Sequence, residues 1–199
     1  MTQNPRQAEI HRKTKETDVA VAVGLDGTGK GARMTGVGFL DHMLDLLARH
    51  GGLDLEARVE GDLDTGAHHT VEDTGLAFGQ ALDTALGDRR GITRYGHAVI
   101  PMDEARASCA IDISGRPLLV FTGDLPPGST GTFDHELTEE FFRAIASTAF
   151  LTVHLVIENG TNAHHMIEAA FKAFARALRQ AVSIDPREEG IPSTKGVLR

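Results

Sequence analysis

The residues best equipped for chemistry are two histidines and a glutamate, and they occur twice. His68-His69-Thr70-Val71-Glu72 returns as His164-His165-Met166-Ile167-Glu168, at a constant offset of 96 residues. On a helix, residues three and four apart share a face. Glu72 therefore shares a face with His69 and His68, and Glu168 with His165 and His164. Two imidazoles and a carboxylate on one face form part of a coordination shell for a divalent ion such as Mn²⁺, Zn²⁺ or Fe²⁺. Adjacent histidines diverge by roughly 100° on a helix, so each pair serves two different ions or leaves one ring at the helix start. A single copy is equally well read as a solvated histidine pair at a helix N-terminus. The second copy favours the metal, because a solvated face does not require the same three residues twice.

The match continues beyond the motif. Ala77/Ala173, Phe78/Phe174, Ala81/Ala177, Leu82/Leu178 and Ala85/Ala181 keep the same offset, which identifies an internal duplication. A helix precedes each motif, over 39–50 and 137–150, with apolar residues at buried-helix spacing. These two helices align at an offset of 98, which sets Glu140 opposite His42. A histidine on such a helix is ordinarily a hydrogen-bonded core residue. The correspondence with a carboxylate makes His42 and Glu140 candidate ligands instead.

The remaining elements must carry these helices. Residues 17–25 alternate about Val19, Val21 and Val23, a strand signal. Asp26-Gly27-Thr28-Gly29-Lys30-Gly31 lacks the spacing of a nucleotide loop and reads as a hairpin turn into a second strand over 32–37. Strands are predicted over 53–60, 107–113, 117–122 and 151–158, with a Pro- and Gly-rich loop at 125–131 and a joint at 87–96. Each half reads β-β-α-β-α, with room for an extra strand. The predicted fold is α+β, with two duplicated half-domains and helices packed on one face of the sheets. The chain is expected to form one domain of two repeats, about 12–90 and 91–186, with a polar, mobile tail at 187–199.

Composition narrows the partners. A net charge of −8 with no basic run argues against nucleic-acid binding. No apolar run approaches the roughly 18 residues of a membrane span, and the polar first 16 residues offer no signal-peptide core. The single cysteine, Cys109, cannot form an internal disulfide, which suits a cytoplasmic setting.

Several segments together resemble the imidazoleglycerol-phosphate dehydratase family of histidine biosynthesis. They are Phe39-Leu40-Asp41-His42-Met43-Leu44, both His-His-x-x-Glu motifs, Arg12-Lys13-Thr14-Lys15-Glu16-Thr17 and Pro192-Ser193-Thr194-Lys195-Gly196. The resemblance runs from about Arg12 to the C-terminus. It implies a fold like the second domain of ribosomal protein S5. It also implies two Mn²⁺ per active site and a homo-oligomeric, 24-subunit shell of trimers with sites between subunits. By position it makes His42, His68, His69, Glu72, His164, His165 and Glu168 metal ligands, with Glu140 standing where some members have His. Glu16 and Glu168 become the candidate acid/base residues. Arg94, Arg116, Lys172, Ser193 and Lys195 match substrate- or phosphate-binding positions, and His50 joins them.

The implied reaction is the dehydration of D-erythro-imidazoleglycerol phosphate to imidazole-acetol phosphate. It involves no redox step, so no nicotinamide or flavin is required. The difficulties are an unactivated C–H and a poor hydroxide leaving group. Lewis acids that favour the imidazolate form of the ring address both, and a carboxylate takes the carbon-bound proton. The residues alone also fit a dinuclear phosphohydrolase, which would release inorganic phosphate, or a metal-binding shell protein with no turnover.

Overall fold

The alternation about Val19, Val21 and Val23 builds the middle of a sheet whose inner face is apolar along these valines, with Thr17 buried at its end. The computed structural model describes residues 5–198. Its first half runs β1 (Gln7–Lys13), β2 (Thr17–Gly24), β3 (Arg33–Met34), α1 (Gly38–Gly51), β4 (Asp54–Gly61) and α2 (His68–Leu86). The second runs β5 (Tyr95–Met102), β6 (Ala105–Asp112), β7 (Leu118–Thr122), a small hairpin of β8 (Ser129–Thr130) and β9 (Phe133–Asp134), α3 (Leu137–Thr148), β10 (Thr152–Asn159) and α4 (Ala163–Val182).

The duplication is visible in the strand order. One sheet is β1-β2-β4-β3 and the other is β5-β6-β10-β7. In each the first three strands are antiparallel, and the last, β3 or β7, runs parallel to its neighbour. The fold is α+β, as expected, and each half carries the extra strand. The edge strands β1 and β5 escape the hydropathy reading because neither presents a continuous buried face. The turn at 26–31 is not a hairpin: β4 lies between β2 and β3, and β3 is only two residues long. Asp54 Oδ1 accepts from the Thr28 and Lys30 amides at 2.8 and 2.9 Å. That carboxylate ties the glycine-rich loop to the start of β4 and carries the chain past β2 instead of back along it.

The helices cover the inner face of each sheet and interleave between repeats. α2 lies on β1 and β2, and α4 lies on β5 and β6. α1 packs on α4, however, and α3 packs on α2. Each repeat thus lends its first helix to the second helix of the other. Gly75 and Gly79 permit the α2–α3 contact: a Cβ on Gly75 would lie 2.8 Å from Ala144 Cβ, and one on Gly79 would lie 2.1 Å from Thr148 Oγ1. Phe142 stands between Phe171 and Phe174, with ring centroids 4.7 and 5.1 Å away, and locks α3 to α4. Burial of each such ring contributes about 1.5–3 kcal/mol.

The tail is held rather than loose. The Arg89 guanidinium donates to the Leu198 carbonyl at 2.7 Å, and Leu198 is buried. Arg94 Nη1 donates to the Pro192 carbonyl at 2.8 Å. The polar stretch 193–196 gave no sign of these anchors, which lie on either side of it. Among the described residues no helix is long and apolar enough to cross a membrane.

Candidate metal centre

The α1–α4 crossing brings together three sequence-predicted ligands from the two repeats. A ring nitrogen of His42, one of His164 and a Glu168 oxygen all lie within 4.8 Å of one another. Glu168 Oε2 is 3.2 Å from His164 Nε2 and 3.7 Å from His42 Nε2. Asn162 caps α4 by accepting from the His164 amide at 2.9 Å, which fixes the turn that carries the ring. The Phe39 ring meets His164 edge-on at 5.0 Å and rests on Phe133 at 5.4 Å, an apolar wall on that side.

Glu168 is buried, and Lys172 Nζ donates to its Oε1 at 2.6 Å. Burial pushes this carboxyl upward. The Lys172 hydrogen bond and charge, with the charges of His42 and His164, outweigh it and hold the carboxyl below its usual range. The result is an anionic oxygen beside two imidazoles. Two nitrogens and a carboxylate converging on one point fit a divalent cation of the manganese or zinc type.

The α2–α3 crossing makes the pseudo-equivalent arrangement. His68 Nε2 is 4.0 Å from Glu72 Oε2, and His68 and Glu140 line one cavity of about 850 Å³. Glu140, aligned with His42 by the offset, thus shares a cavity with His68. This second trio is looser. Glu140 Oε1 lies 3.8 Å from Arg143 Nε, and among the described residues only the His42 trio has its ligand atoms converged.

The second histidine of each motif turns away from the first. The His68 and His69 rings stand at 89°, and His164 and His165 at 78°. His69 Nδ1 lies 2.9 Å from Asp62 Oδ2, and His165 Nδ1 lies 2.7 Å from Glu104 Oε2. The hydrogen bond to each carboxylate raises the basicity of its imidazole.

Four of the predicted substrate- or phosphate-binding residues gather elsewhere, while Lys172 stays on Glu168. Arg94, Arg116, Ser193 and Lys195 line a cavity of about 400 Å³. Asp112 accepts from Arg94 Nε at 2.7 Å, and the guanidinium stacks 4.6 Å from the centre of the Tyr95 ring. None of the candidate metal ligands lines this cavity. His50, on α1, is held low first by burial and then by the charges of Lys172 and Arg176. Glu16 sits in the β1–β2 turn, where its carbonyl accepts from the Asp62 amide at 3.1 Å. Within one chain, then, the Glu16 turn adjoins His69 through Asp62, and the Glu16 charge helps raise the basicity of that imidazole, while the cationic cavity is lined by none of the candidate ligands.

Sequence reasoning missed Asp62, Glu104 and Asp112, the carboxylates that hold His69, His165 and Arg94. Nothing in their spacing marks them, since each reaches its partner only through tertiary contacts.

Comparison with known proteins agrees with the geometry. The model of the imidazoleglycerol-phosphate dehydratase family matches residues 35–178. An imidazoleglycerol-phosphate dehydratase of Jannaschia sp. (strain CCS1) is 57% identical over 194 residues, spanning 97% of this chain and 100% of the relative. One from Symbiobacterium thermophilum is 59% identical over 193 residues, spanning 97% and 93%. The crystal structure of the dehydratase from Staphylococcus aureus superposes with a TM-score of 0.82 at 42% identity, covering 90% of this chain and 99% of that one. The Pyrococcus furiosus structure gives 0.82 at 37% identity, covering 95% and 100%. The chain belongs to the imidazoleglycerol-phosphate dehydratase family, a family of hydro-lyases of histidine biosynthesis.

Proposed function

We propose that this chain dehydrates D-erythro-imidazoleglycerol phosphate to imidazole-acetol phosphate, using two Mn²⁺ per active site. The observation that carries the reading is the convergence of His42, His164 and Glu168 from both repeats, on a chain that belongs to this family. His42, His164 and Glu168 would hold one ion, and His68, Glu72 and Glu140 the pseudo-equivalent one. The His69 and His165 rings stand at 89° and 78° to those of His68 and His164, and neither joins the converged trio, which suits completion of sites on neighbouring copies. That is the basis for proposing the 24-subunit shell of trimers with active sites between subunits. Bound metal would supply Lewis acidity toward the substrate ring.

The chain's own residues do the rest. Lys172 holds Glu168 anionic and oriented. Arg94, Arg116, Ser193 and Lys195 bind the phosphate through charge-assisted hydrogen bonds, and His50 lies toward the substrate from α1. Glu16 and Glu168 carry protons: one takes the carbon-bound proton, and the other delivers a proton to the departing hydroxide, which leaves as water. The free, buried Cys109 suits a cytoplasmic setting.

The test is to incubate purified protein with Mn²⁺ and imidazoleglycerol phosphate and identify the product. Imidazole-acetol phosphate supports the reading. Release of inorganic phosphate would mark a phosphohydrolase, and unchanged substrate a metal-binding protein without this activity.

A further inference from the structure

The two repeats differ at the tips of their first hairpins. In the first half, Arg12 and Thr17 both donate to Asp73, a buried carboxylate on α2, and so pin the β1–β2 hairpin to the helix. The His69 ring of that helix is held by Asp62, from beyond β4. In the second half, Ala169 stands at the position 96 residues after Asp73, so this anchor is missing. The β5–β6 tip supplies its own. Glu104 Oε1 accepts from the amides of Thr161 and Asn162 at 3.0 and 2.8 Å and from Thr161 Oγ1 at 3.3 Å. Its carbonyl accepts from Asn159 Nδ2 at 2.6 Å. Its other carboxylate oxygen, Oε2, meets His165 Nδ1 at 2.7 Å. One side chain therefore joins the hairpin tip, the loop before α4 and an imidazole.

An ionised carboxylate has no proton to give. Facing Glu104, His165 Nδ1 must carry the hydrogen, and the lone pair is then on Nε2. Asp103 Oδ2 lies 3.8 Å from that Nε2, too far to draw the proton there by accepting a hydrogen bond. We propose that Glu104 is a positioning residue, fixing His165 in the Nδ1–H form with Nε2 open to a metal, and that Asp62 does the same for His69. The metal half of this inference rests on the dinuclear reading above. The tautomer half stands on the hydrogen bonds alone.

The informative variant is Glu104→Gln. Its carbonyl oxygen can keep the Thr161 and Asn162 amides, while its NH₂ faces Nδ1 and requires an acceptor there. The ¹⁵N spectrum of histidine-labelled, metal-free protein, recorded above the pH at which both raised imidazoles have lost their second proton, reads which nitrogen stays protonated. Wild type should show a protonated Nδ1 and an open Nε2 for His165, assigned by difference against His165→Asn. Glu104→Gln should exchange the two. In metal-stripped, assembled protein titrated with Mn²⁺ alone, the same variant should bind about tenfold to a hundredfold more weakly. Asp62→Asn should do both at His69, and provides the test if Glu104→Gln fails to fold. An unchanged tautomer with Mn²⁺ affinity within twofold of wild type would overturn the proposal. So would a lowered melting temperature with no tautomer exchange, the sign of a purely structural role. Wild-type protein that binds no Mn²⁺ at all would instead overturn the metal reading, and the spectrum would still decide the positioning.

Discussion

Lys172 donates to one oxygen of Glu168 at 2.6 Å, while the other oxygen faces His164 at 3.2 Å. The lysine and the glutamate are one helical turn apart, and between them they decide whether a buried carboxyl is charged. In Lys172→Met, burial acts with less opposition and the Glu168 carboxyl rises. A carboxylate binds metal only when deprotonated, and that form is lost as pH falls through its pKa. Mn²⁺ binding by Lys172→Met should therefore disappear at a higher pH than in wild type. Isotherms across the acid range read the shift, and superimposable profiles would contradict it.

Metal removal should act on turnover. Chelation should abolish dehydration, and added Mn²⁺ should restore it. Full activity in protein shown by elemental analysis to be metal-free would rule out the dinuclear reading.

Assembly and activity should fail together. If neighbouring copies complete each site through His69 and His165, then His165→Ala should weaken the assembled particle as well as turnover, and His68→Ala should do likewise. Analytical sedimentation reads the particle. A fully active monomer would refute the shared site.

Binding and chemistry should separate at the two ends of the chain. Lys195→Ala removes a charge-assisted contact worth about 1.5–3 kcal/mol, so kcat/KM should fall roughly tenfold to a hundredfold, mainly through KM, with metal content intact. Glu16→Gln should lower kcat and retain metal. Wild-type kinetics for Lys195→Ala at low substrate would remove the tail from the site.

The helix interleaving should be sensitive to one methyl group. In Gly79→Ala the new Cβ would lie 2.1 Å from Thr148 Oγ1 and 2.8 Å from the Ile145 carbonyl, so α2 and α3 must part. Overpacking of this kind costs about 1–3 kcal/mol, which denaturant unfolding would resolve. Because α3 carries Glu140 toward His68, Mn²⁺ affinity should fall as well. Wild-type stability would mean the contact relaxes freely.

By itself the sequence determined the duplication, the four main helices, the buried strand β2 and the candidate ligands. These are local properties: a period of 3.6 or 2, and two motifs at one offset. His42 was legible because the aligned helices set it against Glu140 and because the segment around it resembles the family. The tertiary structure decided what local patterns do not encode. It placed β4 between β2 and the short β3, through an eight-residue ladder with β2 and an Asp54 side chain that captures two loop amides. It crossed α1 onto α4 and α3 onto α2, so that each trio draws on both repeats. It brought Glu104 to His165 across 61 residues and Asp112 to Arg94 across 18. A carboxylate in a turn or on a strand looks the same in sequence whether it meets water or an imidazole; only the packing of the two sheets and their shared helices chooses between them.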